Sequence, residues 1–384
     1  MRRAAVVGFI AFIISAVFAH GRSSPYNNYV LFADALLHGH LWINWPGPYI
    51  DAVLFDGQRF IVNDPIPGVL MMPLVALFGN AANQTLFACA LAGVATAAGW
   101  KLARNLGVSE SDADWLAGFL LLGTDLMWCA MLGDVWYIAH VACIAFLLLG
   151  LYELSGSGRP WLVAIWFALA CGSRFTVIVT LPVFAYWIAY GFAEPKRNVR
   201  ALLPALATLL PFALLWVGYN EARWHVPWDS GHTIFFHQDR QVGAAEGSPF
   251  SFGNISYQLY SFFVQYPQFL ASAPFAVPGM SGVALTWTSP ALALALFARR
   301  PRGLVITAWI AAILAAGPAF LYYVNGFVQF GMRHALDFEA FLFLLMILAA
   351  RRGLHWIWIV LMTYSALAGI WGAWYWDTFY RIKY

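Results

Sequence analysis

The chain has 384 residues, of which 62% are hydrophobic and only 10% charged, with a net charge of +3. Soluble domains run nearer about 45–50% apolar and about 25% charged, so an ordinary cytosolic enzyme is excluded and most of this surface faces a bilayer. No basic cluster large enough to grip phosphates is present, which excludes a nucleic-acid partner. The four cysteines, Cys89, Cys129, Cys143 and Cys171, sit inside apolar runs without a CxxC spacing, which argues against a disulfide framework or a zinc site.

Arg2 and Arg3 followed by Ala4–His20 read as an uncleaved first span, although Val17-Phe18-Ala19 would tolerate signal cleavage. Apolar runs bounded by charge then predict spans at 4–20, 84–103, 115–131, 135–153, 160–172, 175–193, 201–219, 284–298, 303–323, 335–350 and 353–375. That makes eleven. The run 66–79 is too short to cross, contains Pro67 and Pro73, and suits a helix lying at the interface. Leaving it out puts 13 of the 21 basic residues in short loops on one side, the pattern that positive-inside topology demands. The expected fold is therefore an all-α polytopic membrane protein, one integral domain over 1–384, with the N-terminus cytoplasmic. Two long segments, 21–83 and 220–283, fall on the exoplasmic side, and the compact loops point to a bacterial inner membrane. Chemistry is expected outside.

In the first outer segment a short interfacial helix is predicted up to Gly39, and four aspartates, Asp34, Asp51, Asp56 and Asp64, fall within 31 residues. Asp56-Gly57 reads as a turn between two extended pieces. Asp34 is either a working carboxylate or a solvated helix residue. Asp64, before Pro65, either acts in the site or caps the 66–79 helix. Asp51 follows a Pro-Gly-Pro bend and has no capping role, which marks it as a candidate base.

Asp134 opens the fourth span and His140 lies nearly two turns deeper; ionisable groups at membrane depth are costly and read as functional, against the plainer alternative of a histidine packed on a carbonyl. Arg174 sits on the outer side against the charge trend, so it needs a partner, either a carboxylate such as Asp134 or an anionic ligand. Arg333 precedes the tenth span, where an i,i+4 pair with Asp337 is the local alternative to a ligand role. Carboxylates and arginines on one face suit a reaction in which a general base activates a hydroxyl while guanidinium groups hold a phosphate leaving group.

This order of parts resembles the GT-C superfamily of polyprenyl-phosphate-sugar-dependent glycosyltransferases, near the protein O-mannosyltransferases and the aminoarabinose lipid A transferases. The resemblance lies in the first 200 or so residues and in Gln329 to Asp337. Ile50-Asp51-Ala52, Asn63-Asp64-Pro65-Ile66-Pro67-Gly68 and Met72-Pro73 are similar to a first-loop pattern of a bacterial branch, with Ala52 and Pro65 where that pattern has lysines. Tyr26-Asn27 stands where the family has an Asp-Glu pair. Gln329-Phe330-Gly331-Met332-Arg333 resembles a "qFGyRy" segment of related bacterial proteins. The resemblance implies a GT-C-like fold and an inverting transfer from an undecaprenyl-phosphate sugar to a glycan, lipid or protein acceptor, and leaves divalent-metal dependence open. In that frame Asp51 is the base, with Asp34 as its substitute and Asp64 positioning the acceptor. Arg174 and Arg333 hold the donor phosphate, and Asp134, His140 and Gln329 shape the site. The rivals are an O-antigen polymerase or ligase, which consumes a diphosphate-linked donor, and a lipid-sugar flippase or transporter. A transporter would need a polar pathway through both leaflets, whereas most ionisable residues cluster at one face; Asp125, midway along the third span, is the main exception and has no assigned role.

Overall fold

The computed structural model describes residues 2–44, 52–193, 197–232, 234–235 and 249–380. Asp51, the expected base, lies outside the described residues. The chain is helical nearly throughout. In order it forms α1 (Arg2–Phe18), α2 (Asn28–Leu37), the hairpin β1 (Ala52–Phe55) and β2 (Gln58–Ile61), α3 (Ile66–Phe78), α4 (Gln84–Asn105), α5 (Glu110–Leu122), α6 (Leu126–Leu132), α7 (Val135–Ser155), α8 (Pro160–Cys171), α9 (Leu181–Tyr190) and α10 (Leu202–Trp224). After the second long segment come α11 (Ile255–Phe263), a two-residue ladder between β3 (Gln268–Phe269) and β4 (Ala276–Val277), α12 (Leu285–Thr288), α13 (Arg302–Leu321), α14 (Leu336–Ala350) and α15 (Trp356–Tyr375). Tight 3₁₀ segments, Phe175–Thr180 and Pro290–Phe297, lead into α9 and precede α13.

Five helices, Gln84–Asn105, Val135–Ser155, Val199–Trp224, Arg302–Leu321 and Trp356–Phe379, are long and apolar enough to cross a membrane. A sixth span results if α5 and α6, bent by 47°, count as one. The other expected spans form shorter helices, such as the 17 residues of α1, the 12 of α8 and the 15 of α14, below the roughly 20 a straight helical crossing needs. Helix length alone thus gives five or six spans where the apolar windows predict eleven. Part of the difference is the 3₁₀ geometry of Phe175–Thr180 and Pro290–Phe297, which advances about 2.0 Å per residue and covers the same depth with fewer helical residues.

Small residues bring α1 close against α4. Along α1, Ala4, Gly8, Ala11 and Ser15 are buried at the i, i+4, i+7 spacing of one helix face. A Cβ on Gly8 would come 2.8 Å from the Gly93 carbonyl, and one on Gly93 would come 2.6 Å from that of Gly8. Lipid offers no hydrophobic drive to pair helices, so such backbone approach is how spans adhere. By contrast, α10 leaves Leu203, Leu206, Leu210, Leu214 and Leu215 58–71% exposed, as expected of a helix facing hydrocarbon.

The segment between α2 and α4 is held by local chemistry. Asp56 (φ 47°) and Gly57 (φ 73°) turn the hairpin, with Phe55 opposite Gln58, the two-residue turn expected of Asp-Gly. Arg223 of α10 clamps it, donating to the Ile61 carbonyl at 2.8 Å while its guanidinium lies 3.6 Å from the Tyr219 ring centre. The helix expected over 66–79 is present as α3, but Asp64 does not cap it. Its Ile66 N–H instead donates to the Gly172 carbonyl at 2.9 Å, and Pro65 at the N-cap makes no side-chain bond. Asp125 sits at the α5–α6 break, 5% exposed, packed so closely on Gly331 that a Cβ there would lie 2.2 Å from Oδ1.

Candidate functional site

A cavity of about 1520 Å³ opens at one end of the bundle. Its walls come from residues 22–26, 62–64, 132–140, 174–179, 318–328 and 333–337, with Ser230, His232, Phe235, Phe250 and Trp376. Every one of these stretches belongs to a segment, or the end of a span, that the charge pattern assigns to the outer side. The opposite end holds Arg3 against Glu110 and Asp114, Lys101 near the Tyr152 hydroxyl, and Arg159 on Glu153.

Of the expected site residues, Asp64, Asp134, His140, Arg174 and Arg333 share this cavity. Asp34 does not line it; that residue sits on α2 with a 39% exposed side chain beside His38, the solvated arrangement weighed above. Gln329 is fully buried behind Arg333, accepting from its Nη1 at 3.2 Å and donating to the Ser281 and Asn325 carbonyls. It positions Arg333 and does not line the cavity.

Asp134 is built into place by the first loop. Gly133 takes the left-handed conformation needed just before α7 (φ 63°) against Thr85, while Gln84 and Thr85 bind the carbonyls of Gly133 and Leu132. The Val135 N–H donates to the Tyr26 carbonyl, and the Ser24 hydroxyl donates to Asp134 Oδ1 at 2.5 Å. Residues 22–26 therefore run beside the start of α7. Tyr26 presents a ring 5.0 Å from that of Trp136.

The second cluster centres on Asp337, for which the sequence offers Arg333 as a local partner at i,i+4. That local pair does not form, and neither does the alternative of Arg174 with Asp134. Asp337 Oδ2 accepts from Arg174 Nε at 3.2 Å and Nη2 at 3.1 Å. Its Oδ1 faces His140 Nδ1 at 2.8 Å, so His140 pairs with a carboxylate and not with a carbonyl. Arg333 points elsewhere, 5.3 Å over the Tyr137 ring and near the Phe327 carbonyl. Asp64 Oδ2 accepts the backbone N–H of Phe175 at 2.8 Å, which ties the first loop to the turn bearing Arg174.

Burial raises the Asp64 carboxyl above its ordinary value, against the opposing pull of the Phe175 N–H and Arg174. Burial works against the Arg174 charge, but Asp337 outweighs it and the guanidinium is held more firmly protonated than usual. Burial pushes His334 well below the ordinary histidine range and His232 down to about 4, so both imidazoles are neutral near pH 7. His334, His232, Tyr137 and Thr176 were not singled out from sequence. His334 stands directly beside Arg333, and that adjacency was the one available signal.

His140, His334 and Asp337 bring three ligand-type atoms within 4.8 Å of one another. Their chemistry does not fit a divalent ion. Arg174 Nη2 lies 3.3 Å from His334 Nδ1 and 3.1 Å from Asp337 Oδ2, and a guanidinium has only N–H groups to offer. It uses the lone pairs a metal would require and sets a fixed positive charge among the would-be ligands.

No protein-family model matches the sequence, and no curated protein does. Among solved structures, the chain superposes on the apo crystal structure of the Archaeoglobus fulgidus oligosaccharyltransferase with a TM-score of 0.54. The fold is GT-C-like. The superposition covers 96% of this chain and 55% of that one at 13% identity, so the likeness lies in the path of the backbone. This chain spans about half the length of that neighbour. An all-α membrane protein of GT-C-like fold, with a cavity at one end of its bundle that sets a few charged side chains among apolar walls, is what the geometry and the comparison establish together.

Proposed function

We propose that the chain is a membrane glycosyltransferase that moves a sugar from a polyprenyl-phosphate donor to a glycan, lipid or protein acceptor on the exoplasmic face of a bacterial inner membrane. The observation that carries this reading is the cavity itself. In a GT-C-like fold shared with an oligosaccharyltransferase, one chamber gathers the carboxylates Asp64 and Asp134 with the guanidinium groups of Arg174 and Arg333. An apolar wall, including Ile178, Val179, Pro318 and Ala319, continues from the Arg174 side and suits a prenyl chain.

In the proposed reaction the acceptor hydroxyl attacks the anomeric carbon from the face opposite the phosphate. A carboxylate takes the hydroxyl proton, the new glycosidic bond forms, and the bond from the anomeric carbon to phosphate oxygen breaks with inversion. The electron pair leaves with the polyprenyl phosphate, whose charge Arg174 and Arg333 balance. Asp51 remains the proposed base and Asp64 positions the acceptor or shares that role. Asp134 and His140 hold the walls.

The test is turnover of purified protein with two donors, an undecaprenyl monophosphate sugar and a diphosphate-linked oligosaccharide, set against Asp51→Asn and Asp64→Asn variants. Release of undecaprenyl monophosphate from the first donor alone, lost in one of the variants while folding is intact, is the expected result. Turnover of the second donor alone would assign a polymerase or ligase. Binding of both without turnover would assign a transporter.

A further inference from the structure

The first loop contributes a corner of the cavity that the donor-phosphate reading leaves without a task. Residues 22–26 lie beside the start of α7 through the Ser24–Asp134 and Val135–Tyr26 hydrogen bonds. Four side chains of this corner line the cavity: Arg22, Tyr26, Asp134 and Trp136. Aromatic rings lead away from Arg333 toward it. The Arg333 guanidinium lies over Tyr137, the Tyr137 ring is 6.5 Å from that of Trp136, and Trp136 is 5.0 Å from Tyr26. Tyr137 is buried, whereas Trp136 and Tyr26 keep half-exposed faces. Arg22, four residues before Tyr26 in the chain, also lines the cavity, is exposed, and its guanidinium has no hydrogen-bond or ion-pair partner among the described residues.

Each component has a plain chemical use. The C–H face of a pyranose ring packs on an indole or phenol ring, whose π-face carries negative charge. A fixed carboxylate such as Asp134 accepts hydrogen bonds from sugar hydroxyls. A guanidinium presents a planar fork that matches a carboxylate or phosphate group. Two arginines, Arg174 and Arg333, already suffice for the single phosphate of a monophosphate donor, which leaves a third in the same chamber available for a different anion. We propose that Arg22, Tyr26, Asp134 and Trp136 form the acceptor subsite, and that the acceptor is a saccharide bearing an anionic substituent, a carboxylate or a phosphate, which Arg22 pairs. This rests on the transferase reading, because it takes the Arg174–Arg333 side as the donor's.

The test measures binding to the full chain in detergent. The probes are a hexuronate disaccharide, a hexose-phosphate, the neutral disaccharide, inorganic phosphate, and undecaprenyl phosphate as a donor probe. The expected result is a preference of about tenfold or more for the anionic saccharides over the neutral one, as one charge-assisted hydrogen-bond pair would give. Arg22→Gln abolishes that preference and Trp136→Ala weakens all saccharides together, while undecaprenyl phosphate binds both variants as it binds the wild type. Trp136→Phe, a smaller change to packing, retains part of the saccharide affinity. Which anionic saccharide binds more tightly separates a uronate from a phosphosugar acceptor. Equal affinity for neutral and anionic saccharides overturns the proposal, as does a preference that survives Arg22→Gln. Inorganic phosphate that competes at the affinity of the saccharides, in an Arg22-dependent way, reduces the corner to an anion site and also overturns it. Failure of the underlying reading shows itself separately, as loss of undecaprenyl phosphate binding in the wild type.

Discussion

Replacing Asp337 with Asn tests the electrostatic centre of the site. Asp337 is 3% exposed at its side chain and is the sole carboxylate, among the described residues, in a salt bridge with Arg174. One oxygen takes both Arg174 Nε and Nη2, with the Thr176 hydroxyl at 3.4 Å, and the other faces His140. Asparagine has the same shape but removes the charge and turns an NH₂ group toward one of these donors. Breaking a buried ion pair by neutralising one partner costs about 3–5 kcal/mol. Arg174 keeps 23% of its side chain exposed and relaxes toward the cavity, so the lower end applies, about 3 kcal/mol. At about 1.4 kcal/mol per decade that is roughly a hundredfold in the unfolding equilibrium. The assay is reversible denaturation in mixed micelles of wild type, Asp337→Asn, Arg174→Met and the double variant. The double variant should cost at least about 1 kcal/mol less than the sum of the singles, because the stranded charge is gone. A loss below about 1 kcal/mol for Asp337→Asn, or strict additivity, would refute the assignment of this pair as the structural anchor of Arg174.

Three further outcomes follow from neighbouring geometry. Gly331→Ala places a methyl 2.2 Å and 2.6 Å from the two Asp125 carboxylate oxygens, so the variant should lose about 1–3 kcal/mol through overpacking, read as a lower midpoint of thermal unfolding, with Asp125→Ala in the same chain restoring part of it. Burial raises the Asp64 carboxyl, so transfer should fall as pH drops through that raised value, and Asp64→Asn should remove this acid limb if Asp64 acts in its ionised form. The same shift makes ionisation a cost to the fold: the favourable contribution is full below the unfolded carboxyl's pKa of about 3.9 and is lost as pH rises through the folded value. Unfolding midpoints compared at pH 4 and pH 8 should therefore show Asp64→Asn gaining on the wild type as pH rises. Arg333→Ala should weaken undecaprenyl phosphate binding by about tenfold or more, whereas Gln329→Ala, which leaves the guanidinium but loosens its hold, should raise the donor KM with a smaller change in kcat; equal affinity of Arg333→Ala and wild type for the lipid phosphate would remove Arg333 from the donor site.

What the sequence makes legible here is what is local or what water and lipid impose. The Asp56–Gly57 turn needs only its own two residues, so it is readable and present. The outer position of Arg174 conflicts with the charge bias of the loops, so the need for a partner is readable too. Which carboxylate supplies it is not, because Asp337 is 163 residues away and nothing in either segment encodes their meeting. The local rule at that point favours Arg333 with Asp337 at i,i+4, worth only about 0.2–0.5 kcal/mol on a helix surface. In a buried setting the competing term is larger: Arg174, three-quarters covered, must have a counter-charge, and Asp337 is drawn to it while Arg333 retains the Tyr137 face and the Gln329 amide. The same inversion applies to Asp64. A capping bond to its own helix would satisfy one amide, yet the turn at Gly172–Phe175 offers a backbone acceptor and a donor together: the Ile66 N–H donates to the Gly172 carbonyl and Asp64 accepts from the Phe175 N–H, which welds the first loop to the helix pair that carries Arg174. Tertiary burial overrides local propensity where charges are few and water is absent, and in this fold those are the positions that line the cavity.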